Sequence, residues 1–166
     1  MYHLVRKETR TFGGEEYLDK VDNYKFAFRR NYEKIHIDRK IKDGEYLDLD
    51  GVELKGIWTP GHAPEHMVYY LEDERLLFSG DHVLPKITSH ISLHSYEDRD
   101  PLGDYLDSLI KIEDLEVRKV LPAHEWTFDN LKERAEEIRE HHKRRLQEIK
   151  NTLTKGEVTV RSEERR

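Results

Sequence analysis

The sequence predicts an α/β domain, and three observations carry that prediction. Short β-like runs are separated by Asp-Gly and Pro-Gly turns. Two segments repeat their apolar residues at helical spacing. A strand, a helix and a further strand follow one another near the C-terminal third, the order of a β-helix-β unit.

The elements follow in order. Residues 15–35 read as a helix, because Tyr17, Leu18, Val21, Tyr24, Phe28 and Tyr32 recur at steps of three and four. This aromatic stripe is a packing surface or a cap over a site. Asp43-Gly44 marks a turn, Tyr46 to Leu49 alternates as a strand, and Asp50-Gly51 is a two-residue hairpin signal into residues 52–58. Residues 67–71 and 75–78 form a second hairpin, so antiparallel pairing is expected. Residues 82–99 are irregular; His82, His90 and His94 within them are read as solvated loop histidines. Asp100-Pro101 starts a helix, with Asp as N-cap and Pro at the first helical position. Residues 117–121 are a strand. A long helix runs from Asp129 to about Thr152, with Leu131, Ala135, Ile138, His142, Leu146, Ile149 and Leu153 on one face. That stripe is expected to be buried against the sheet or a partner, because so charged a helix is held by packing more than by propensity. The remaining Glu, Lys and Arg read as a solvated face.

Composition bounds the function. The chain has 166 residues, enough for one domain with a real core. Hydrophobic residues are 36% and charged residues 39%, and the net charge is −6. An acidic balance gives no footprint for nucleic acid. No Cys is present, which excludes disulfides, thiolate metal sites and a Cys nucleophile. The start lacks the apolar core of a signal peptide, and no apolar run approaches ~20 residues. A cytoplasmic protein off the membrane is expected.

The chemistry gathers in residues 59–81 and at one later loop. Thr59-Pro60-Gly61-His62, Ser79-Gly80-Asp81 and Leu121-Pro122-Ala123-His124 each place a His or Asp in a tight loop directly after a predicted strand. Imidazole and carboxylate are donors that zinc accepts. Each motif alone is weak. Together, at strand ends where α/β sheets gather ligands, they form a candidate constellation.

In order and spacing these motifs resemble the metallo-β-lactamase-fold hydrolases, in the glyoxalase II-like and lactamase-β-like branch. The matching stretches are residues 59–66, 78–85 and 121–125, together with Ile91-Ser92-Leu93 and residues 100–106. The resemblance covers about 43–156, with an N-terminal helical or cap segment at 1–42 and a disordered tail at 157–166. It implies an αββα sandwich of which this chain is mainly the C-terminal half. It also implies a binuclear zinc site: His62 a ligand of the first metal, Asp81 the bridging carboxylate, His124 a ligand of the second. A metal-bridged hydroxide would then attack ester, thioester or phosphoester bonds of a small-molecule substrate.

Two departures qualify the resemblance. The family's His-x-His-x-Asp-His motif does not occur in the 166 residues, and Glu65 stands where relatives often carry Gly. The first leaves each metal one His and the shared Asp81, below the usual three protein ligands of catalytic zinc. The sequence therefore reads as truncated: one or no zinc ion, weak or no activity by itself, and a homodimer or a complementing N-terminal half as partner. Glu65, His66 and His82 are substitute or supporting ligands, with His90 or His94 in reserve. The alternative is an inactive remnant that serves as a metal-binding or interaction module.

Overall fold

The computed structural model describes residues 36–92 and 100–154. The expected helix at 15–35, the loop residue His94 and the expected tail lie outside them. Two compact units divide the chain. One comprises residues 39–93 and 99–145, and contains everything discussed below except the last turns of the long helix. The other holds, among the described residues, 36–38 and 146–154.

A five-stranded sheet forms the centre of the first unit, in the order β1-β2-β3-β4-β5. Its strands are β1 (Tyr46–Leu49), β2 (Val52–Trp58), β3 (Met67–Leu71), β4 (Leu76–Gly80) and β5 (Lys119–Pro122). The first four meander. Leu49 pairs with Val52 across the expected two-residue turn, where Asp50 and Gly51 both have positive φ, 53° and 89°. Positive φ at both positions matches the twist of a tight hairpin, and Asp and Gly tolerate it best. β4 and β5 pair in parallel. A parallel pair needs a crossover, and α1 (Pro101–Glu113) supplies it. The α1 start is the expected one: the Asp100 carboxylate accepts from the Gly103 amide, and Pro101 opens the helix.

The two faces of the sheet differ. Ile57, Val68, Tyr70, Leu77 and Val120 are buried on one face. There they form one core with Tyr105, Leu109 and Ile112 of α1 and with Leu131, Ala135 and Ile138 of α2 (Leu131–Leu153). The opposite face carries Leu49, Val52, Trp58 and Phe78, all exposed.

Within the chain the apolar stripe of α2 is buried in its first turns, while Leu146, Ile149 and Leu153 are 47%, 40% and 55% exposed. Two expectations need correction. The charged residues of α2 are not all solvated: Arg134 is buried and donates to three backbone carbonyls. His82 is not a solvated loop histidine but is wholly buried.

Candidate metal centre

Three loops meet at one end of the sheet. The first follows β2 and carries His62. It is closed by the Thr59 amide donating to the His66 carbonyl and by Thr59 Oγ1 against His66 Nδ1, both 2.9 Å. Gly61 is required there. Its φ is +133°, and a Cβ would lie 2.4 Å from Tyr105 Cβ and 2.6 Å from Tyr105 Cα. Only glycine lets the loop lie on the N-terminal half of α1. The second loop follows β4 and carries Asp81. The third follows β5 and carries His124, and is tied to the second by the Ala123 amide donating to the Gly80 carbonyl at 2.9 Å.

The three expected residues come together. His62 Nε2 lies 3.8 Å from Asp81 Oδ2, and His124 Nε2 lies 3.0 Å from Asp81 Oδ1. One carboxylate thus presents a separate oxygen to each of two imidazoles. All three side chains remain in reach of solvent: 31% for His62, 33% for Asp81 and 62% for His124.

The orientation of His62 is informative. Its Nδ1 lies 2.9 Å from the His90 carbonyl oxygen. A carbonyl oxygen only accepts, so Nδ1 carries the proton, and in the neutral ring the lone pair sits on Nε2. Asp81 Oδ2 lies 3.8 Å from Nε2, the nitrogen left for a metal or an ion-pair partner. A backbone carbonyl behind one ring nitrogen is how metal-binding histidines are commonly oriented. Two ligands of one zinc ion, each ~2.0–2.2 Å from it, stand roughly 3–4 Å apart. Both Asp81–His separations fall in that range, and imidazole and carboxylate are donors that zinc accepts. Among the described residues no group of three or more His, Asp or Glu side chains is placed to hold a metal ion.

The supporting candidates divide. Glu65 is exposed. The His66 ring packs edge-on to His62, with centroids 6.0 Å apart, and lies so close to Gly80 that a Cβ there would come within 2.8 Å of its Nε2. It joins the loops of His62 and Asp81 from behind. Burial, with the neighbouring His62, lowers its pKa. His82 lies deeper, between His66 (5.9 Å) and Tyr105 (5.1 Å, edge-on). Neither of its ring nitrogens has a hydrogen-bond partner among the described residues. Burial first, then His66, pulls its pKa down to about 3, against an opposing Ser108 backbone group and with a further push from His62. It is a neutral core residue under the Asp81 loop. His90 enters through its backbone, and its Nε2 is 2.5 Å from Ser92 Oγ.

Two residues of this region escaped the sequence reading. Glu125, next to His124, accepts from the Lys86 and Ile87 amides. Tyr105 donates its hydroxyl to the His82 carbonyl. The advance signals for Tyr105 were its place on the apolar face of α1 and within the resembling stretch 100–106.

The fold matches what comparison with known proteins finds. The family model for the metallo-beta-lactamase superfamily matches residues 2–124. The chain belongs to that superfamily. Among its relatives is the beta-lactamase-like protein 2 homolog of Caenorhabditis elegans, 37% identical over 145 residues, which cover 86% of this chain and 46% of that protein. A lactamase-like protein of Aspergillus niger is 32% identical over 120 residues, covering 72% of this chain and 35% of its own. Among solved structures, a metallo-beta-lactamase family protein of Thermus thermophilus superposes with a TM-score of 0.68 at 32% identity, over 85% of this chain and 45% of that one. A beta-lactamase domain protein of Burkholderia ambifaria gives 0.68 at 29% identity, over 77% and 42%. The chain spans less than half the length of each of these relatives. Among the described residues no helix is long and apolar enough to cross a membrane.

Proposed function

We propose that this chain provides one half of a metal-dependent hydrolase centre, with zinc as the metal and an ester, thioester or phosphoester of a small molecule as substrate. The observation that carries the reading is the position of Asp81, one oxygen toward His62 and the other toward His124. The one carboxylate would then help to hold both ions. His62 would serve one ion and His124 the other, with the His90 carbonyl fixing the ring of His62. Bound zinc would supply a Lewis acid and a water acidified enough to act as nucleophile.

Among the described residues, ligand counting leaves the centre partial. One imidazole and one shared carboxylate per ion fall short of three protein ligands. The remaining donors would come from a complementing N-terminal half or a second copy. The exposed apolar sheet face with Leu49, Val52, Trp58 and Phe78 suits such a partner, since bare patches of this kind mark interaction surfaces. The second reading, a metal-binding or interaction module without turnover, is favoured by one observation: no complete three-ligand set among the described residues.

Zinc titration by calorimetry, with an ester and thioester hydrolysis screen, tests the proposal on the full chain and on His62→Ala. The expected result is loose zinc binding that weakens in His62→Ala, with little turnover by the chain alone. Zinc binding indifferent to His62→Ala would overturn the metal assignment. Robust turnover abolished by His62→Ala would overturn the claim that the centre is partial.

A further inference from the structure

The loop that carries His124 is fastened on both sides of that residue. Before it, the Ala123 amide donates to the Gly80 carbonyl at 2.9 Å. After it, Glu125 Oε2 accepts from the Lys86 amide at 3.0 Å and the Ile87 amide at 3.3 Å. Both anchor points lie in the segment that carries Asp81, one residue before it and a few residues after. The contacts form a closed circuit: Asp81, the turn through residues 82–87, the Glu125 carboxylate, His124, and Asp81 again at 3.0 Å.

The anchor itself is held rigid. Arg134 donates from Nε to the Leu84 carbonyl at 2.7 Å, and from one terminal nitrogen to the Lys86 and Ile87 carbonyls at 2.8 and 2.9 Å. Its other terminal nitrogen donates to Glu137 at 3.0 Å. The segment is thus gripped through its amides by a carboxylate and through its carbonyls by a buried guanidinium. Glu125 also stands at φ +69°, in the left-handed region that a residue with a side chain avoids. Such a residue persists where its surroundings over-determine it, and strain of this kind collects at functional sites.

We propose that Glu125 is a positioning residue: its carboxylate latches the His124 loop to the Asp81 segment and so sets His124 Nε2 against Asp81. The importance given to His124 rests on the proposed metal centre; the latch itself does not.

Glycine at position 125 separates the latch from the turn, because glycine adopts the left-handed φ freely but has no carboxylate. Glu125→Gln keeps an oxygen that accepts from both amides. The full chain and these two variants are compared by thermal melting, by side-chain 1H–15N NMR of the His124 ring in metal-free protein at one fixed pH, and by zinc titration. Glu125→Gly is expected to melt no lower than the parent. Its His124 ring resonances should nevertheless move to solvent-like values, and its zinc affinity should fall about tenfold or more, the usual scale for losing a group that orients a ligand. Glu125→Gln should follow the parent in all three. A Glu125→Gly protein whose His124 resonances match the parent would overturn the latch. If those resonances move while the parent binds no zinc, the latch stands and the metal assignment falls.

Discussion

His124 Nε2 stands 3.0 Å from Asp81 Oδ1, across two loops joined at their bases by the Ala123–Gly80 backbone bond. The two side chains are 43 residues apart in the chain. Only the parallel pairing of β4 with β5 brings the loops after them to the same end of the sheet. The α1 crossover that makes the pairing parallel is thus a condition of the site.

Gly61→Ala should damage both fold and site. The new Cβ would sit 2.4 Å from Tyr105 Cβ, at a φ of +133°. Something must shift, and the movable element is the loop that carries His62. A loss of ~1–3 kcal/mol in chemical denaturation is expected, together with weaker zinc binding than the parent. Parent-like stability and parent-like zinc affinity would show that the loop has room to spare.

The metal-free protein should lose stability on acidification through the histidine range. His82, His66 and His142 all have folded pKa values lowered chiefly by burial, His82 to about 3. Their unfolded values lie near 6.5. A group lowered in the folded state contributes its full stability above the unfolded pKa and loses it as pH falls toward the folded one. Melting temperature should therefore drop steadily from about pH 6.5 downward. His82→Leu should flatten that slope whatever it does to the melting temperature in mild alkali. An equal slope in His82→Leu would mean that His82 does not carry the effect.

The two ends of α2 should respond differently to truncation. Ile138 is fully buried, and Ile138→Ala should cost ~2–5 kcal/mol. Leu146 is 47% exposed, and Leu146→Ala should stay within about 0.5 kcal/mol. Urea denaturation of both variants decides it. A large loss at Leu146 in the isolated chain would place a covering surface over the second half of the helix.

Local chemistry made much of this legible from sequence. Asp50-Gly51 announced its hairpin because few residue pairs accept two positive φ values, and Asp100-Pro101 announced α1 because its cap is encoded within four residues. The candidate residues His62, Asp81 and His124 stood out because each follows a strand in a Gly- or Pro-marked loop and falls in a stretch that resembles the family. What stayed hidden depends on distant partners. His82 sits beside Asp81 in a loop, and its burial is set by Tyr105, which is 23 residues further on. Arg134 looks like any other charge of α2; it is distinguished by the carbonyls of a loop about 50 residues earlier. Glu125 lay in the resembling stretch 121–125, but its role was hidden, because its partners are backbone amides, which every sequence has. The stripe of α2 followed the same logic: periodicity shows which residues share a face, and says nothing of what covers each of them.

The proposed centre requires Asp81, His62 and His124 to hold metal together. X-ray absorption at the zinc edge, on the zinc-loaded full chain and on its His62→Ala, His124→Ala and Asp81→Ala variants, tests it most directly. Imidazole scattering is expected in the parent and should diminish in each His variant, with near-complete loss of bound zinc in Asp81→Ala. A zinc spectrum unchanged across all three variants would contradict it.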